Sequence, residues 1–115
     1  MRVTTCYHCF QGFSKLEYII GLDNLNTSQV TSMDSMFEGC SQLTTLDLSS
    51  FDTRKVTDME QMFLNCKNLT TICVTPDNTH WVLDNVRESY QMFAGCDNLS
   101  GKSAMSFWIW FSIGI

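Results

Sequence analysis

The sequence predicts an α/β fold: a right-handed stack of coils, with short parallel strands on one face and short helices on the other. Three observations predict it. The segments VTTCYHCFQGF, VTSMDSMFEGC, VTDMEQMFLNC and VRESYQMFAGC begin at Val3, Val30, Val56 and Val86, so the steps are 27, 26 and 30 residues. Each is followed by a shorter segment: SKLEYI, SQLTTL, KNLTTI and a fading DNLSGK. A unit this small, with one strand and one short helix, cannot bury its own apolar face, whereas stacked copies share a continuous core.

The first half of each copy reads as a helix. In the third copy Val56, Met59, Met62, Phe63 and Cys66 are spaced for one apolar helical stripe. A Met and Phe stripe repeated in every copy reads as core rather than as a binding surface. Thr57 followed by Glu60 reads as a capping box, with Thr31 and Asp34 as its nearest counterpart. Gly12, Gly39, Asn65 and Gly95 occupy one position in the four copies. Glycine and asparagine tolerate the left-handed conformation that ends a helix, so each helix is expected to run for about two turns.

The second half reads as a strand. In LTTLDL, Leu43, Leu46 and Leu48 point inward, while Thr45 and Asp47 flank Leu46 and point outward. Phe51 continues the core. Asp52 and Thr53, like Asn26 and Thr27, are turn formers whose side chains bond nearby backbone. The 30-residue step carries an insertion near residues 76–80. One repeat unit is therefore expected over residues 1–106, followed by an apolar tail at 107–115.

This arrangement is that of a leucine-rich-repeat-like solenoid. LTTLDLSSF resembles the L-x-x-L-x-L portion of that consensus. At the next position, where the consensus has Asn or Cys, stand Leu25, Phe51 and Trp81. They fill core volume and cannot form a side-chain amide ladder. The longer run VTSMDSMFEGCSQLTTLDLSSFDTRKVTDMEQMFLNCKNLTTI resembles the BspA-like leucine-rich-repeat surface proteins of bacteria. MFAGCDNLSGKSAMSF is similar to that family's terminal repeat. The resemblance covers Val3 to about Lys102. It implies a surface or secreted protein that contacts host, matrix or other cells, and it supplies no catalytic residues.

Composition narrows the function. Seven basic and twelve acidic residues leave a net charge of −5, against nucleic-acid binding and against docking on anionic lipid. Apolar residues make up 44%, enough for a core. The amino terminus has one Arg and no long apolar run after it, so no signal peptide is read there. The nine-residue apolar tail is too short for a bilayer span, which takes about 20 helical residues. Membrane contact is expected only if residues 107–115 belong to an anchor. Val3 already stands at the start of a repeat, which suggests a piece of a longer protein.

The chemical candidates centre on cysteine. CYHC, residues 6–9, has redox or half-zinc-site spacing. In the repeat alignment, however, Cys6 takes the place of Met33, Met59 and Ser89, and Cys9 that of Met36, Met62 and Met92. His8 falls where Ser35, Gln61 and Gln91 stand, read as an exposed helix position. Both thiols thus read as core, with no second ligand pair for zinc and no cofactor expected. Cys40, Cys66 and Cys96 share one position and are expected to stack on successive copies, where a disulfide is an open alternative, although Phe13 at that position in the first copy shows that the fold does not require one. Cys73 aligns with Asp47 and should be the most accessible thiol. Three glycosylation sequons begin at Asn26, Asn68 and Asn98, two of them products of the repeat itself.

No Ser-His-Asp or paired-carboxylate set stands out, and no enzyme activity is expected. The leading reading is a protein- or glycan-binding module whose exposed strand face carries Tyr18, Thr45, Asp47, Thr71 and Cys73. The alternatives are a fragment or intracellular interaction scaffold, and a thiol or metal module on Cys6 and Cys9.

Overall fold

A computed structural model describes residues 3–75 and 79–99. Residues 100–102 of the fading DNLSGK segment, Pro76 to Asn78 of the insertion, Ser100 of the last sequon and the tail at 107–115 lie outside the described residues. The four copies stack in register. Parallel bridges join Thr5 to Ser32, Ser32 to Asp58, and Asp58 to Glu88, the same position in successive copies. Strands β1 (Thr45–Asp47) and β2 (Thr71–Cys73) pair in parallel, with Thr45 opposite Thr71, Leu46 opposite Ile72 and Asp47 opposite Cys73.

The expected helices do not form. Each V-T-x-M-x-x-M-F-x-x-C segment is instead a chain of tight turns, closed by bonds such as Met62 N to Met59 O and Cys66 N to Phe63 O. Alternate amides leave the segment altogether. Those of Cys6, His8, Phe10 and Gly12 donate to the carbonyls of Ser32, Asp34, Met36 and Glu38. Met33, Ser35, Phe37 and Gly39 do the same to Asp58, Glu60, Met62 and Leu64. Met59, Gln61, Phe63 and Asn65 repeat it to Glu88, Tyr90, Met92 and Ala94, all twelve bonds lying between 2.7 and 3.0 Å. An α-helix would direct those amides four residues back along its own chain. Left-handed residues in mid-segment, His8, Ser35, Gln61 and Gln91 at φ 54 to 61°, prevent that. The apolar spacing of three, three, one and three residues fits consecutive turns as well as a helix. Gly12, Gly39, Asn65 and Gly95 are left-handed as expected, but they close turns. Among the described residues the helical content is one 3₁₀ turn, Leu22–Asn24.

The capping box also resolves differently. Thr57 Oγ1 donates to the carbonyl of Thr31 in the preceding copy, and the Asp58 carboxylate receives the Glu60 amide. The expected strand of the first copy does not pair with β1. Gly21, at φ 86°, turns the chain into the 3₁₀ turn, where its counterpart Leu48 runs on and donates to Cys73 O.

The core follows the repeat. Val30, Met33, Met36, Phe37, Cys40 and Leu43 of the second copy are fully buried, as are Val56, Met59, Met62, Phe63, Cys66 and Leu69 of the third. Phe10, Phe37, Phe63 and Phe93 form a column of near-parallel rings with centroids 5.4–5.8 Å apart. At the corner after the strands, buried Phe51 and Trp81 fill the core as expected. The polar ladder there is built by threonine. Thr27 Oγ1 accepts the Asp52 amide at 2.8 Å, and Thr53 Oγ1 accepts the Val82 amide at 2.7 Å. A buried amide without such a partner would cost about 1–3 kcal/mol.

Candidate functional site

The paired strands alternate as a two-residue period requires. Leu46 and Ile72 face the core, while Thr45 and Asp47 are exposed and Thr71 and Cys73 half-buried on the opposite side. Four of the five candidate binding residues are thereby brought to one small face. Thr70 Oγ1 donates to Thr44 O across the strands at 3.0 Å. Asp47 accepts the Ser49 hydroxyl at 2.6 Å and the Ser49 amide at 3.0 Å. Those bonds, the hydroxyl first, hold its carboxyl below the usual range, so it stays an anion. Asp47, Ser49 and Ser50 also line a groove of about 330 Å³ with Ile19, Gly21, Leu22 and Asp23. Tyr18, the fifth candidate, is 65% exposed but belongs to the segment that does not join the sheet.

The family described as "Mycoplasma protein of unknown function, DUF285" matches residues 1–108. The chain belongs to the DUF285 family. No curated protein and no solved structure matches it.

In this DUF285 chain the two thiols of CYHC part company. Cys6 is buried and Cys9 exposed. Burial first, then the neighbouring Cys9, push the Cys6 thiol up to about 12, the opposite of an activated thiolate. His8 is half-buried at a left-handed turn position, and its counterpart Ser35 is buried. This corrects the exposed helix position expected for both. His8 stacks on Tyr7 at 3.7 Å between ring centroids.

Cys40, Cys66 and Cys96 stack as expected, and all three are free thiols. Each donates to a carbonyl of the preceding copy: Cys40 to Phe10 at 3.1 Å, Cys66 to Phe37 at 3.1 Å, and Cys96 to Phe63 at 3.0 Å. Burial pushes Cys40 and Cys96 up to about 11, and Cys66 higher still. The thiol at this position thus serves as a weak donor to an inner carbonyl. Cys73 is half-buried, so the exposed thiol of the DUF285 chain is Cys9 and not Cys73.

One grouping was not anticipated from the sequence. The carboxylates of Asp34, Asp58 and Glu60 approach one another within 4.8 Å. Partial desolvation first, then Asp34, Asp58 and Glu88, raise Glu60 above its ordinary value. The signal lay in the repeat alignment. Asp34 and Glu60 share one position, and Asp58 and Glu88 another, and stacking brings the two rows side by side.

Proposed function

We propose that the chain is a non-catalytic repeat module of a bacterial cell-surface protein, a leucine-rich-repeat-like solenoid that binds a protein or glycan through its strand face. One observation carries the reading. Thr45, Asp47, Thr71 and Cys73 stand in register on the outer side of β1 and β2, beside a groove, while the alternating residues are fully committed to the core. Hydroxyls and a carboxylate held as an anion suit hydrogen bonding to sugar hydroxyls or peptide amides. The stacked copies and the resemblance to BspA-like proteins support the module and its surface setting. The family description, which names Mycoplasma proteins, supports a bacterial source.

The test is binding of labelled chain to a glycan array and to immobilised matrix proteins, with a Thr45→Trp, Asp47→Lys double variant alongside. Both positions are exposed, so folding should survive. The reading expects signals of the wild type to disappear in the variant. Signals that persist unchanged would place the site elsewhere, and no signal on either support would remove the reading's protein or glycan partner.

A further inference from the structure

Strand β1 keeps one edge open. Its parallel register directs the backbone groups of Leu46 toward β2. On the same side Leu48 N donates to Cys73 O at 2.7 Å, and Thr44 O accepts the Thr70 amide at 2.9 Å. The alternate residues, Thr45 and Asp47, point their amides and carbonyls the other way, toward the first copy. Among the described residues these four groups have no bond. Unpaired strand edges of this kind template further pairing.

A groove of about 330 Å³ borders that edge. The first copy lines it with Ile19, Leu22 and Asp23, and the second with Asp47, Ser49 and Ser50. Its charge is of one sign. Asp23 and Asp47 are exposed carboxylates, and no basic side chain among the described residues lines the groove. Both Ser49 bonds to Asp47 end on Oδ1, so Oδ2 carries none among the described residues. A second groove of about 320 Å³ shares Ile19, Gly21 and Leu22 with the first and adds Phe10, Ile20 and Leu25. Ile20 is 85% exposed.

We propose that this edge binds an extended segment of a partner protein that carries a basic residue beside an apolar one. The segment adds to β1 as a strand and exchanges backbone bonds with Thr45 and Asp47. Its Lys or Arg stands opposite Asp47 on the outer face, where cross-strand side chains lie about 5 Å apart, and pairs with Asp47 Oδ2 and with Asp23. Its apolar residue covers Ile20. Three features select this occupant. Four unbonded backbone groups suit a peptide and not a sugar. Two carboxylates without a cation select positive charge. The shared lining puts apolar surface next to that charge. The inference rests on the strand-face reading and chooses protein over glycan as its partner.

Panning a displayed library of random heptapeptides against the immobilised full chain tests it, with an Asp47→Lys chain as counter-target. Enriched peptides should share a Lys or Arg beside an aliphatic or aromatic residue. In fluorescence anisotropy, synthetic copies should bind the wild type and weaken as salt rises. Affinity should fall at least about tenfold for Asp47→Asn, the equivalent of one lost charged hydrogen bond, and several-fold for Asp23→Asn. Ile20→Lys, at a position almost wholly in solvent, should weaken binding as well. N-methylation of the peptide backbone around the basic residue should abolish it. A library that enriches nothing over the Asp47→Lys chain would overturn the proposal. So would enriched peptides that lack a basic residue, or binding that survives N-methylation. Glycan-array signals lost in the Thr45→Trp, Asp47→Lys variant, with no peptide enriched, would keep the strand-face reading and overturn the peptide partner alone.

Discussion

Gln61 separates the turn architecture from the helical one by the sign of a single stability difference. It sits in mid-segment at φ 57°, with its amide bonded to Tyr90 O at 2.9 Å. Its side chain makes only long contacts, to Gln91 at 3.4 Å and from Ser35 at 3.5 Å, so little is lost by removing it. Compare Gln61→Gly with Gln61→Ala. In a helix interior, glycine is about 1 kcal/mol less stable than alanine. In a left-handed turn alanine bears a strain of about 1–2 kcal/mol that glycine does not. Glycine's greater freedom in the unfolded chain returns about 0.4–1 kcal/mol of that. The turn therefore makes Gln61→Gly more stable than Gln61→Ala by up to about 1.5 kcal/mol. Urea unfolding resolves this. With a slope of about 1–3 kcal/mol per molar, a difference of 1 kcal/mol moves the midpoint by about 0.3–1 M. Gln91, at φ 54°, should give the same sign. A Gln61→Ala protein more stable than Gln61→Gly by about 1 kcal/mol would refute the turn assignment.

Three further outcomes follow from the packing and the charges. Thr53→Val keeps the shape at a buried position but leaves the half-buried Val82 amide without its acceptor, and should cost about 1 kcal/mol by urea unfolding. Phe63→Ala removes a fully buried ring with neighbours on both faces and should cost about 3–5 kcal/mol. Phe10→Ala, half-buried at the end of the column, should cost clearly less, and equal costs would contradict the stacked core. Glu60 has a raised pKa, so the folded state holds its proton more tightly than the unfolded chain. Below the ordinary glutamate value both states are protonated and nothing is lost. As pH rises through the folded value, the charged carboxylate faces Asp34, Asp58 and Glu88, and that stability disappears. Glu60→Gln should therefore raise the urea midpoint at neutral pH and leave it unchanged in acid.

The sequence by itself determined the repeat, its register and most of its core. Equivalent positions had to stack, because no copy could bury Met59, Met62 and Phe63 alone. The left-handed residues at Gly12, Gly39, Asn65 and Gly95 were also legible, since few other side chains tolerate that conformation. So was the outward row of Thr45, Asp47, Thr71 and Cys73, from the two-residue period of a strand. Only the tertiary structure decided between helix and turns. Spacings of three and four apolar residues serve both, and the choice turns on where the amides of Met59, Gln61 and Phe63 go. Their acceptors, Glu88, Tyr90 and Met92, stand 29 residues further along the chain, beyond any local pattern. Stacking of successive copies likewise brings Asp34 and Glu88 to Glu60, and burial by neighbouring copies distinguishes the methionines of the later copies from exposed Cys9. Each of those copies has a copy on the preceding side to cover it; among the described residues Cys9 does not.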